Sequence, residues 1–217
     1  MRCTTPQGSV LNPILFIIYI NSIQNLPLIG KTILYADDTN LYYTGKDFDE
    51  IVQNMQIDLR CMMDWLERER LILNLNKTVF MCFSRSPLTI AVSDLEVDGH
   101  LVKRVSTYEF LGLYLTENLS WEVHIKSVIK NIIPACRAIF RTRHCLTFQM
   151  KRTLYFALMH SHLTSLSIVW GHCYNQHLYR LVTTQKRALK MIFGLDPRTP
   201  SIDLYSKLNL ISVSKSI

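Results

Sequence analysis

The spacing of apolar positions changes several times along the chain, and each change marks an element. From residue 13 to 24 the apolar side chains run almost unbroken: Ile14, Leu15, Phe16, Ile17, Ile18, Ile20 and Ile23. A helix that is apolar nearly all round is a buried one, so this stretch predicts a buried helix with Pro13 in its first turn. Two short strands are expected at 32–36 and 41–44. Between them stand Asp37-Asp38-Thr39-Asn40, four residues that favour turns. The pattern predicts a β-hairpin with an acidic tip. Asp47 followed by Glu50 makes a capping box, and Ile51, Met55, Leu59, Met62 and Leu66 then recur at spacings of 4, 4, 3 and 4. That is the period of an amphipathic helix. Strands are expected next at 78–84, 88–92, 101–104 and 109–115.

Beyond residue 118 the period is helical. Ser120 is placed to cap a helix carrying Val123, Val128 and Ile132, with Pro134 ending or kinking it. A second helix is expected over 147–162. A third, over 177–193, presents Leu178, Leu181, Val182, Leu189 and Ile192 on one face and stops at Gly194. The fold class is α+β, an α+β first part over 1–118 followed by a helical part over 119–217. The opening residues, Met1 to Pro6, show neither period, so the chain reads as starting inside a domain.

Charge separates the same two parts. The net charge of +7 on 217 residues is divided unevenly. Residues 1–100 hold 8 Lys and Arg against 12 Asp and Glu, a net of −4, and residues 101–217 hold 16 against 5, a net of +11. A basic helical half points to a polyanionic partner or to a solvated basic surface. With 48% hydrophobic residues the chain is not a disordered tail, and its 7 glycines form no phosphate-binding loop pattern. The six cysteines show no C-x-x-C and read as reduced intracellular thiols. No run is long enough to span a membrane. His160, His162, His172, Cys173 and His177 match no zinc spacing, and Trp65, Trp121 and Trp170 read as core aromatics.

Adjacent carboxylates at a hairpin tip repel each other and favour a divalent cation beside them, although an Asp-Asp pair is also ordinary turn chemistry. Here the pair has company. Pro6-Gln7-Gly8-Ser9 precedes Tyr35-Ala36-Asp37-Asp38. After it come Asn76-Lys77-Thr78 and Phe110-Leu111-Gly112. In this order the four motifs resemble the palm of a reverse transcriptase of the LINE-type (non-LTR) retrotransposons. The tail is similar to the thumb region of such elements at Trp121, His124-Ile125, Val169-Trp170-Gly171 and Gln185-Lys186-Arg187.

The resemblance implies a truncated polymerase palm with a Tyr-Ala-Asp-Asp hairpin, followed by an α-helical thumb-like region. It implies Asp37 as a ligand of catalytic Mg²⁺ with Asp38 in support. Tyr35, Gln7 and Gly8 would lie against nucleotide and template. Lys77 would serve the pyrophosphate, as proton donor or as counter-charge, and Phe110, Leu111 and Gly112 would press on the primer. The implied partners are an RNA template, a DNA primer or RNA–DNA duplex, and a dNTP. Two departures stand out: Thr4-Thr5 replaces the usual Gly-Val, and Asn12 replaces a usual Gly. The palm's other metal-binding Asp and the fingers belong before Pro6, where no Asp or Glu precedes Asp37. The expectation is that this chain alone does not polymerise. The other expectation is a non-enzymatic nucleic-acid-binding remnant or co-opted module.

Overall fold

The computed structural model describes residues 9–84, 95–196, 198–199 and 204–205. The chain forms two compact units, one of Met1–Phe80 with Pro87–Val105, the other of Met81–Ser86 with Ser106–Ile217.

The first unit is built around one helix. Helix α1 (Leu11–Ile20) and a 3₁₀ turn (Asn21–Asn25) lead into strands β1 (Lys31–Tyr35) and β2 (Asp38–Tyr42), and then into α2 (Phe48–Arg68). Asp47 caps α2 as its side chain accepts from the Asp49 N–H at 2.9 Å. Two small cores meet α2 on adjacent sides. Met62 and Trp65 join Ile20 and Ile23, with Leu34 and Leu41 of the strands packed against them. Met55, Leu59 and Met63 pack on Leu95, Val97 and Val102. The Trp65 indole N–H donates to the Ser22 hydroxyl at 3.1 Å and ties α2 to the 3₁₀ turn.

The remaining strands of this unit are short: β3 (Val79–Phe80), β4 (Glu96–Val97), β5 (His100–Leu101) and β6 (Lys103–Arg104). β3 pairs in parallel with β6, and β4 pairs antiparallel with β5 through an Asp98-Gly99 turn. Both turn residues have positive φ, 49° and 75°, the geometry that a two-residue hairpin of this twist requires.

The second unit opens with the hairpin of β7 (Thr107–Phe110) and β8 (Leu113–Thr116), which packs on α3 (Glu122–Thr142). Helices α4 (Phe148–Tyr155), α5 (Ser161–Thr164), α6 (Ser167–Trp170) and α7 (Asn175–Phe193) complete it, with a π-helical turn, Phe156–His160, between α4 and α5. Its core is larger than either core of the first unit. Ile132, Ile139, Tyr155, Met159, Leu163, Trp170, Leu181 and Leu189 are all sealed from water. Gly194, at φ 66°, closes α7 as Leu195 N–H returns to the Lys190 carbonyl at 2.9 Å.

Several expectations are corrected. The α1 helix forms, yet Ile14, Leu15, Ile17 and Ile18 are exposed and only Ile20 is buried, since among the described residues α1 joins the core through Phe16 and Ile20. The hairpin loop is two residues, not four, since Asp38, Thr39 and Asn40 join the ladder of β2. The strand expected at 78–84 shrinks to Val79–Phe80, and the one at 101–104 divides at the buried Val102. The segment 109–115 is a hairpin rather than one strand. Leu111 (φ 49°) and Gly112 (φ 81°) reverse the chain there. Val123 faces outward, and His124 and Ile125 take the buried positions instead. Pro134 lies inside α3 without ending it. The strand expected at 88–92 lies outside the described residues. Within the second unit the β7–β8 hairpin packs on α3.

Candidate active site

The acidic hairpin is defined by its register. Tyr35 pairs with Asp38, which leaves Ala36 and Asp37 as the loop. A two-residue hairpin needs positive φ at its first loop position, and Ala36 supplies it at φ 52°. For a residue with a Cβ that conformation costs about 1–2 kcal/mol, which the ladder must hold in place. Because opposed residues share a face, Tyr35 and Asp38 stand side by side on the exposed side of the hairpin. Ile33 pairs with Asn40 on that same side, while Leu34 and Leu41 turn toward the core.

Tyr35, Ala36, Asp37 and Asp38 are all exposed. Among the described residues no cationic side chain pairs with either aspartate. The tip is therefore a small anionic point on a two-residue turn.

The other end of the hairpin is fixed by a residue the motif reading passed over. Asp58 of α2 is fully buried. Its Oδ1 accepts from the Ile29 N–H at 3.0 Å, and its Oδ2 accepts from the Gly30 N–H at 2.7 Å and the Tyr43 hydroxyl at 2.8 Å. Ile29 and Gly30 immediately precede β1, and Tyr43 immediately follows β2. Burial, together with the Asp58 carboxylate, pushes the Tyr43 phenol well above its ordinary value. A Cβ added at Gly30 would meet the Tyr43 ring at 2.5 Å and would displace that ring from its place against Asp58. The sequence signal existed: Asp58 is a charged residue within the apolar stripe of α2, three residues after Met55 and four before Met62.

Lys77 is exposed on a turn in which its N–H donates to the Asn74 carbonyl at 3.0 Å, just before β3. It belongs to the unit that carries Asp37 and Asp38, on a different element. Gln7 and Gly8 lie outside the described residues. Phe110, Leu111 and Gly112 form the tip of the β7–β8 hairpin in the second unit. There the Tyr114 N–H donates to His124 Nδ1 at 3.4 Å and links β8 to α3.

Residues 1–115 match the family described as reverse transcriptase (RNA-dependent DNA polymerase). The chain belongs to the reverse transcriptase family. Over 227 residues it is 25% identical to a Drosophila melanogaster protein named "Probable RNA-directed DNA polymerase from transposon BS", covering 100% of this chain and 25% of that protein. It is 22% identical over 222 residues to the corresponding X-element protein of the same species, covering 98% of this chain and 24% of the relative. The polymerase of the mobile element jockey is 22% identical over 199 residues, covering 87% and 22%. These relatives place the chain with the reverse transcriptases of non-LTR retrotransposons. It spans about a quarter of the length of the curated relatives it matches. No solved structure shows a significant match.

Reverse transcriptases are generally Mg²⁺-dependent, so the donor set can be tested against that ion. Mg²⁺ takes hard oxygen donors and is commonly held by one or two carboxylates, with waters and substrate phosphates completing its shell. Two exposed adjacent aspartates fit that mode. Among the described residues no cluster of three or more ligating side chains forms. The described helices include none long and apolar enough to cross a membrane.

Proposed function

We propose that this chain is the palm-to-thumb portion of an RNA-directed DNA polymerase of a non-LTR retrotransposon. The observation that carries the proposal is the Tyr35-Ala36-Asp37-Asp38 tip: two exposed carboxylates, with no cationic partner among the described residues, on a strained two-residue turn in a chain whose first 115 residues match the reverse transcriptase family. Asp37 and Asp38 would hold Mg²⁺, which when bound neutralises phosphate oxygens and stabilises the charge that develops during nucleotidyl transfer. Tyr35 beside Asp38, with Gln7 and Gly8, would bear on nucleotide and template. Lys77 would offset triphosphate charge, and Phe110, Leu111 and Gly112 would touch the primer. Residues 1–118 would act as partial palm and 119–217 as thumb.

The basic half supports the nucleic-acid part of this reading. On α3, Lys126, Lys130, Arg137 and Arg141 are exposed and recur at spacings of 4, 7 and 4. At 100° per residue these positions fall on one side of the helix, a stripe about 22 Å long at 1.5 Å per residue. Such a stripe suits the regular phosphate spacing of a duplex.

A second reading rests on the absence of a third carboxylate beside Asp37 and Asp38 among the described residues. By itself the chain would bind nucleic acid without extending it. One experiment separates these readings: the purified chain is given a primed RNA template, dNTPs and Mg²⁺ at several salt concentrations. The expected result is salt-dependent duplex binding without extension, and extension once an upstream segment of an intact element of this family is supplied. Extension by the 217-residue chain alone would overturn its inactivity. Absence of duplex binding at low salt would overturn the nucleic-acid reading altogether.

A further inference from the structure

A two-stranded hairpin is marginal by itself in water, so something beyond the β1–β2 ladder must hold its tip in position. The apolar face supplies part of that hold through Leu34 and Leu41. Packing of this kind resists lifting of the hairpin but is weak against sliding and shear of one strand past the other, because apolar contact is non-directional. Hydrogen bonds are directional, and the set made by Asp58 sits where shear would begin.

One carboxylate grips both legs at the open end. Ile29 and Gly30 bring the first leg in through backbone N–H groups, and Tyr43 brings the second through its hydroxyl. Asp58 itself sits mid-way along α2, among Met55, Leu59 and Met62, and α2 is the element on which both cores of this unit are built. Gly30 leaves room for the Tyr43 ring to lie close enough for its hydroxyl to reach Oδ2. The clamp therefore refers the hairpin to the most firmly packed helix of the unit. The five-residue strands carry that reference to the tip, about 17 Å away at ~3.4 Å per residue.

We infer that Asp58, with Tyr43 and Gly30, is a positioning residue for the Asp37-Asp38 tip, fixing the register and direction of the hairpin from its base. That the tip binds a divalent cation rests on the function proposed above; the clamp itself does not. Asp58 touches neither substrate nor cation in this assignment, and its effect reaches the tip only through the two strands.

The test uses the full 217-residue chain and two readouts by NMR. The first is amide hydrogen exchange along the β1–β2 ladder and along α2. The second is paramagnetic broadening by Mn²⁺ as a probe of the tip. The variants are Asp58→Asn, which leaves a single acceptor oxygen, and Tyr43→Phe, which removes one bond and preserves the ring's packing. In both variants the ladder amides should exchange at least tenfold faster while α2 amides from the middle of the helix change by less than threefold. Mn²⁺ should broaden amides 36–39 in the wild type at several-fold lower concentration than in either variant.

Unchanged ladder exchange in Tyr43→Phe and in a folded Asp58→Asn would overturn the clamp. So would equal acceleration along α2 in Tyr43→Phe, because the residue would then be supporting the whole unit. If the exchange result holds but Mn²⁺ leaves amides 36–39 sharp in the wild type, the clamp stands as structure, while the cation-binding reading and the positioning role for it both fall.

Discussion

Gln185 donates from its side-chain amide to the Tyr155 hydroxyl across 3.0 Å, inside the core of the second unit, where neither side chain reaches water. The Tyr205 hydroxyl reaches Gln185 Oε1 at 3.4 Å. Burial pushes the Tyr155 phenol up to about 12, and the Gln185 bond only partly opposes it. A phenol whose folded-state value is raised stabilises the fold below its unfolded value near 10, and that contribution is lost as the pH rises toward 12. Urea midpoints should therefore fall between pH 10 and 12, with a shallower fall in Tyr155→Phe. At neutral pH the same variant removes the acceptor of the buried Gln185 Nε2 and should lose about 1–3 kcal/mol. An unchanged alkaline slope in Tyr155→Phe would contradict this account.

His124 gives the opposite dependence on pH. It is buried on α3, its ring centroid 5.6 Å from that of Trp170, and Nδ1 accepts from Tyr114. Burial lowers its value, against a smaller opposing pull from Glu109. The folded state holds the neutral ring, so stability is full above the unfolded value near 6.5 and is lost as the pH falls below it. Thermal melts should show the unit weakening from pH 7.5 to 5. His124→Gln, which cannot titrate, should flatten that slope, and a slope equal to that of the wild type would rule His124 out as its source.

The exposed side of α1 predicts association rather than instability. Ile17 and Ile18 are 58% and 68% exposed. Contiguous apolar surface of this kind drives self-association, whereas surface substitutions usually change stability by no more than about 0.5 kcal/mol. The double variant Ile17→Lys, Ile18→Lys should lower light scattering at high concentration with little change in melting temperature. Ile23→Lys, in the 3₁₀ turn that follows α1 and buried in the core, should unfold the unit instead.

Lys130, Arg137 and Arg141 carry the electrostatic prediction. Each phosphate contact contributes about 0.9 to the slope of log affinity against log salt. Replacing the three by glutamine should reduce that slope by about 2–3 for a duplex of any sequence. Equal replacement of Arg60, Arg68 and Arg70 in the acidic part should leave it nearly unchanged.

Leu111 holds φ 49°, a conformation that costs a side chain such as leucine about 1–2 kcal/mol. Leu111→Asn should raise the unfolding free energy by about 1 kcal/mol, since asparagine tolerates this region. If Leu111 also touches primer, the same variant should weaken primer binding while stabilising the fold. Gain in both would remove leucine from the primer contact.

Local pattern was sufficient wherever one short-range force dominates. The period of Ile51 to Leu66 and the Asp47 cap put α2 in place, and the face from Leu178 to Ile192 with its Gly194 stop put α7 in place, because amphipathic period and end chemistry are local properties. Motif order likewise located the acidic tip. The Asp98-Gly99 dipeptide, between the strands expected at 88–92 and 101–104, is an equally local turn signal.

Tertiary structure alone decided the rest. Sequence shows Ile14–Ile20 as apolar but not whether anything covers them, since burial depends on which partners reach that side. It shows Asp37-Asp38-Thr39-Asn40 as a turn, but the loop is cut to two residues by ladder hydrogen bonds formed with Tyr35, Leu34 and Ile33. It shows Asp58 as one charge in an apolar stripe, but its three donors come from residues 29, 30 and 43. The amino-acid order therefore determined the elements and the family. Register, burial and the clamp beneath the tip came from contacts between residues far apart in the chain, whose free energy exists only once the elements are packed.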